Sequence, residues 1–210
     1  MAKKSTTPPR ERILKYALQE FSRGGYAGAR VDRIARLAKV NKRMLFYYFG
    51  NKDGLFEAVL ESAWKQGRIL DEAPDHPVDS VRFWHSFYFT KPEWVRLLLW
   101  EGLQWENRPV VGEKERKEFW KGGVEKMRRA SGPGGWPEFV DTRYFLVSWL
   151  GLTIAPLLLP HIAKLTVGLD PHDPRFIREH AKFIETFAQF VADRAKPGSS
   201  PPNSETKKSR

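Results

Sequence analysis

The chain contains no cysteine, so it has neither a disulfide framework nor a thiolate nucleophile or ligand. It also lacks any run of the ~18 apolar residues that a membrane-spanning helix needs. The longest candidate, 149–159, is interrupted by Gly151, Thr153 and Pro156. G-x-S-x-G, H-E-x-x-H and Walker-loop spacings are missing, and His76, His85, His161, His172 and His180 show no paired metal-ligand spacing. Ser131-Gly132-Pro133-Gly134-Gly135 is glycine-rich, but no strand pattern precedes it, so it reads as a loop and not a phosphate cradle. These gaps argue against an enzyme, a metal or a cofactor. The opening Met-Ala-Lys-Lys-Ser lacks the apolar run of a signal peptide, which makes the cytoplasm the expected location.

The positive charge is unevenly placed. The net charge of +11 divides into +8 over residues 1–65, −1 over 66–193 and +4 in the remainder. Basic charge gathered at one end of a chain whose middle is neutral is the footprint of a polyanion partner.

That basic end holds the most informative stretch, 31–55. Val31, Ile34, Leu37 and Ala38 keep helical spacing on one face, Lys39-Val40-Asn41 breaks it, and Leu45, Phe46 and Phe49 resume it. Two short helices around a tight turn make a helix-turn-helix. The second helix turns Lys42, Arg43, Tyr47 and Tyr48 outward, where cations and phenols suit phosphates and base edges in a major groove. Leu45, Phe49, Leu55 and in part Phe46 are expected to be buried beneath them. Upstream, Thr7-Pro8-Pro9 offers a hydroxyl cap and a first-turn proline, and Ile13, Leu14, Ala17, Leu18 and Phe21 form the stripe of a first helix ending at Gly24-Gly25.

Residues 10–60 resemble the N-terminal domain of the tetracycline-repressor (TetR) family of transcriptional regulators. The resemblance rests on Ile34-Ala35, the three-residue turn, Tyr47-Tyr48-Phe49 and Lys52-Asp53-Gly54-Leu55 in that order and spacing. It covers about a quarter of the chain, and several independent elements agree. Against the family pattern, Lys39 stands where Gly is usual, because that position tends to positive φ. Phe46 replaces a Tyr, and Arg30 replaces a Thr that caps the second helix but adds a cation facing the backbone. By the resemblance, Arg30, Lys42, Arg43, Phe46, Tyr47, Tyr48 and Lys52 are the DNA-contacting set.

The rest reads as helices, at 64–72, 77–89, 92–107, 112–130, 138–163 and 173–195, separated by Pro- and Gly-rich breaks. The expected organisation is all-α: a basic disordered arm (1–6), a three-helix DNA-binding domain (7–50), a linking helix (51–65), a larger ligand-binding and dimerisation domain (66–195) and a disordered tail (196–210). His172, in the turn Asp170–Pro174, reads as a cap for the last helix.

Eight Trp is a high count, and the seven beyond Trp64, with Phe83, Phe87, Phe89, Phe119 and Tyr144, are material for an aromatic cavity or for ordinary core. TetR-like proteins bind small organic effectors in this domain, which makes Trp84, Phe87, Trp100, Glu101, Gln104, Trp120 and Trp149 the candidate effector residues, with Ser148 and Thr153 as further polar groups. Phe176, His180, Phe183 and Phe187 on the last helix belong to an apolar surface too wide for packing on one neighbour alone, which favours a partner copy over the closing of a monomer's core. In the family, the last two long helices pair with their mates in a four-helix bundle. The expected function is that of a homodimeric repressor released from a palindromic operator by an uncharged or weakly anionic organic molecule. The alternative is a constitutive DNA-binding dimer whose second domain serves only dimerisation.

Overall fold

The computed structural model describes residues 7–67, 72–104, 110–132, 135–137 and 141–194. The expected arm and tail, and Trp105, lie outside these residues. The described residues form ten helices and no sheet. These are α1 (Pro9–Gly28), α2 (Val31–Leu37), α3 (Lys42–Phe49), α4 (Lys52–Gly67), α5 (Pro77–Thr90), α6 (Pro92–Leu103), α7 (Glu113–Arg129), α8 (Thr142–Leu158), α9 (Pro160–Val167) and α10 (Pro174–Arg194).

Prolines set several of the starts. Pro9, Pro77, Pro92 and Pro160 stand in first turns, where the missing N–H would have no helical partner anyway. Several boundaries differ from the sequence reading. Trp64–Gly67 continues α4 and does not open a new helix. The expected helix 138–163 is two helices bent by 82°. Leu159 (φ −122°, ψ 57°) leaves the helical region, because the Cδ of the following Pro160 crowds it. No single helix among the described residues is long and apolar enough to cross a membrane; only this bent pair has the combined length and composition. Thr7 does not cap α1, whose N-cap is Pro8 without a side-chain bond. The cap of α10 is Asp173, accepting from Arg175 N at 2.8 Å, while His172 only closes the preceding turn onto Asp170.

Helix α1 does not stop at Gly24-Gly25. It continues to Gly28 through a kink at Gly25 (φ 62°, ψ −169°), a conformation that suits only glycine. The notch takes the ring of Trp100 from α6: a Cβ at Gly25 would lie 2.6 Å from Trp100 Cε3.

Two cores hold the helices. The larger runs from Ile13, Ala17 and Phe21 of α1 through Ile34 (α2), Leu45 (α3) and Leu55, Phe56 and Val59 (α4) into Trp94, Val95 and Leu97 (α6) and Leu157 (α8). Phe21 and Phe56 meet edge-on at 4.9 Å. Each large side chain so buried contributes roughly 1.5–3 kcal/mol. The smaller core joins Val81, Met127, Trp136, Trp149, Ile184 and Ala188. The basic N-terminal helices thus share apolar core with α6 and α8.

Candidate functional site

Helices α2 and α3 are joined by a turn whose hydrogen bonds define it. Lys39 N bonds Arg36 O at 3.2 Å and Val40 N bonds Ala35 O at 3.0 Å, the pair that ends a helix through one left-handed residue. That residue is Lys39, with φ 55°. Asn41 then caps α3, its Oδ1 accepting from Met44 N at 2.7 Å. Asn51 repeats the device for α4, accepting from Gly54 N at 2.9 Å. Gly54 itself is needed: a Cβ there would lie 2.3 Å from Phe49 O, so α4 can start against the end of α3 only without a side chain.

The amphipathic split of α3 follows from its spacing. Leu45 and Phe49, one turn apart, are buried; Phe46 is half-buried; Lys42, Arg43, Met44, Tyr47 and Tyr48 are exposed. Tyr47 is 85 % exposed, far more than an aromatic with only a packing role needs. An eight-residue helix is ~12 Å long, close to the width of a major groove. Lys42 Nζ lies 3.0 Å from Asp32 Oδ1, whereas the Arg43 guanidinium has no ion-pair partner among the described residues. Arg30 is exposed at the N-cap of α2 and makes no side-chain cap. Lys52 Nζ donates to Ala27 O at 3.3 Å and lies over the Tyr26 ring, so it fastens α4 to the end of α1. Leu37, expected on the buried face, is exposed.

Glu20 is a residue the sequence reading missed. Buried on α1, it accepts from Arg30 N at 3.3 Å and pairs with Arg33 at 3.3 Å. A carboxylate from another helix therefore holds the N–H of the N-cap residue itself, as the acid of a capping box does, and not the first-turn N–H that a Thr at this position would accept. Only the position of an acid on an otherwise apolar helix face hinted at it.

Among α5, α6, α7 and α8 lies a cavity of about 80 Å³. That is room for several waters or a small organic group. Its walls are Trp84 and Tyr88 of α5, Trp94 of α6, Phe119, Trp120 and Met127 of α7, Trp149 and Thr153 of α8, and Trp136. Polar groups are few. Thr153 donates back to Trp149 O, burial pushes the Tyr88 phenol upward so that it stays protonated, and Lys126 approaches Asp75 to 3.5 Å at the wall. Of the seven effector candidates, Trp84, Trp120 and Trp149 line this space; Phe87, Trp100, Glu101 and Gln104 do not. Phe87 is packed edge-on to Trp94. Trp100 faces α1, its Nε1 donating to Ser22 O at 3.2 Å. Glu101 takes two hydrogen bonds from Arg116 at 2.8 and 2.7 Å, and Gln104 Oε1 is buried without a partner among the described residues. Ser148 is exposed.

Helix α6 joins the two regions. Trp94 walls the cavity and donates its Nε1 to Ala63 O of α4 at 3.0 Å. Two turns on, Trp100 fills the Gly25 notch of α1.

The four candidates for a partner surface separate into two kinds. Phe183 and Phe187 are exposed, as are Phe190, Tyr144, Val147, Ile162 and Leu165 around them on α8–α10. Phe176 is buried within the chain, and His180 Nδ1 lies 3.1 Å from His85 Nε2 of α5. Among the described residues no group of three or more His, Asp or Glu could hold a metal ion.

A capped, basic, phenol-bearing helix presented beside a tight turn, on an all-helical frame, defines a DNA-binding regulator of the helix-turn-helix class. The family described as bacterial regulatory proteins, tetR family, matches residues 13–59. The HTH-type transcriptional repressor SCO4008 of Streptomyces coelicolor is 32 % identical over 174 residues, 80 % of this chain and 88 % of that protein. The chain therefore belongs to the TetR family: it is a DNA-binding transcriptional regulator and not an enzyme. The repressor NicS of Pseudomonas putida is 40 % identical over 102 residues, which span 45 % of this chain and 48 % of NicS. Among solved structures, the transcriptional regulator SCO4942 of Streptomyces coelicolor shares the fold with a TM-score of 0.70 at 24 % identity, covering 86 % of this chain and 98 % of that one.

Proposed function

We propose that this repressor works in the cytoplasm as a homodimer on a palindromic operator and leaves it when a small organic molecule fills the tryptophan-walled cavity. In this reading residues 7–50 are the reading head, 51–65 the link, and 66–195 the effector and dimer domain. Arg30, Lys42, Arg43, Phe46, Tyr47, Tyr48 and Lys52 form the DNA-facing set.

The observation that carries the reading is the double engagement of Trp94, which is at once a wall of the cavity and a hydrogen-bond donor to the backbone of α4. A ligand that displaces this ring moves the helix on which the reading head is mounted. With Trp100 held in the α1 notch of the same head, α6 shifts both supports together. The ligand acts only through its differential affinity for the two arrangements; roughly 2–3 kcal/mol is enough to empty an operator held at modest occupancy.

A second copy covers the exposed aromatics of α8–α10. Phe183, Phe187 and Phe190 stack in an exposed row, a surface that monomers rarely leave in water, and twofold pairing sets two heads about 34–36 Å apart, or a multiple, to match successive major grooves. Selection of bound fragments from random DNA tests this. It should return an inverted repeat whose half-site centres are one helical turn or a multiple apart; a lone half-site would contradict it.

A further inference from the structure

We propose that Arg116 is a receptor for the carboxylate of an organic acid whose apolar body lies among the tryptophans. This rests on the effector reading above and names the ligand's class.

Arg116 is the fourth residue of α7, with its side chain about 10 % exposed. Both of its hydrogen bonds to Glu101 leave from Nη1. Its Nε and Nη2 are buried and have no hydrogen-bond partner among the described residues. These two atoms form the parallel N–H edge of the guanidinium, the edge that matches both oxygens of a carboxylate. The guanidinium lies 4.4 Å over the ring of Trp64, whose own Nε1 is also buried and unpartnered. Three desolvated donors on two touching side chains lack an acceptor among the described residues, and native proteins rarely leave such groups unmade without a functional reason.

The surroundings select the kind of acceptor. Trp64 meets Trp94, Phe119 and Trp120 edge-on at 5.8, 5.7 and 5.9 Å, and all three of those rings line the cavity. The free donors thus sit directly behind an aromatic wall, which suits an anion attached to a flat apolar body and not a bare inorganic ion. Glu101 balances the charge of Arg116. The added carboxylate is carried by the charge-assisted fork and by the positive end of the α7 dipole, within whose first turns Arg116 stands.

The test uses the full chain with 2-naphthoate, 2-naphthamide, 2-naphthyltrimethylammonium and inorganic phosphate, read by tryptophan fluorescence and by the Nε–H resonance of Arg116. Naphthoate should bind at least about tenfold tighter than naphthamide and shift the Arg116 Nε–H signal, as expected for gaining charge-assisted hydrogen bonds. Arg116→Lys keeps the charge without the fork, and Trp64→Phe keeps the ring without the N–H. Each should cost naphthoate about tenfold and leave naphthamide unchanged, in protein whose melting temperature shows it folded. Equal binding of acid and amide, preference for the cation, phosphate competing as well as naphthoate, or no binding of any probe would overturn the proposal. Arg116-dependent naphthoate binding without loss of operator affinity would uphold this site while removing the release reading. Operator release by naphthoate that survives Arg116→Lys would do the reverse.

Discussion

Lys39 has a backbone φ of 55°, where an L side chain is crowded by its own carbonyl. The hydrogen bonds of the turn require that conformation whatever residue occupies it. Lys39→Gly should therefore raise stability by roughly 0.5–1 kcal/mol, after the greater freedom of glycine in the unfolded chain is allowed for. Thermal unfolding at fixed pH checks this; an unchanged or lower melting temperature would show that the lysine side chain contributes something the geometry omits. The cations divide by their settings. Arg43 is exposed on α3 with no ion-pair partner among the described residues, whereas Lys52 is anchored on Ala27 O beside the Tyr26 ring. Arg43→Ala should lose affinity for the selected operator by about 1–3 kcal/mol with little change on random DNA. Lys52→Ala should weaken both alike and reduce the salt slope by about one. Titrations at several salt concentrations separate the two, and equal losses on both DNAs for Arg43→Ala would end its role in base reading.

At the scale of helices, the apolar face of α10 is shared between a neighbour and open surface. Ile184, Ala188 and Ala192 are buried, while Phe183, Phe187 and Phe190 stand out. Replacing Phe183 and Phe187 together by Asp should leave the chain folded and monomeric, because unpaired carboxylates in an apolar interface cost several kcal/mol. Sedimentation reads the outcome, and an intact dimer would exclude this face. The contact of α10 with α5 also includes His85 and His180. Burial lowers both, His180 to about 4 with added repulsion from His85, while Glu185, itself paired with Arg82, opposes the shift at His85. Both rings are neutral in the folded chain at neutral pH. The unfolded chain takes up protons below about pH 6.5, so this contribution is full above that value and is lost as pH falls towards 4. Between pH 7 and 5 the melting temperature should fall, and fall less in His180→Phe; equal slopes would contradict the assignment. Helix existence and type were legible from spacing and from proline positions, since those act locally. The Gly25 notch and the Glu20 support were not, because their partners, Trp100 and Arg30, come from elsewhere in the chain. The resemblance made Trp100 and Glu101 candidate effector residues, yet Trp100 turns towards α1 and Glu101 towards Arg116. Periodicity locates a face without saying what it meets.

For the whole molecule, the charge division and the motif order between Ile34 and Leu55 were enough to read the DNA-binding class, since the cations there are concentrated on surface helices. The cavity was legible only as an excess of tryptophan, because a void depends on how several helices pack at once. The proposed mechanism joins the two regions through α6, so cavity occupancy and operator affinity must be linked, and the linkage must be reciprocal. The most direct measurement is operator affinity with and without saturating 2-naphthoate, paired with naphthoate affinity with and without saturating operator. The expected result is an operator affinity lowered by about thirtyfold or more, as 2–3 kcal/mol of coupling requires, with naphthoate weakened by the same factor on the DNA-bound protein. Naphthoate bound in the cavity, seen by tryptophan quenching, with operator affinity unchanged would contradict it.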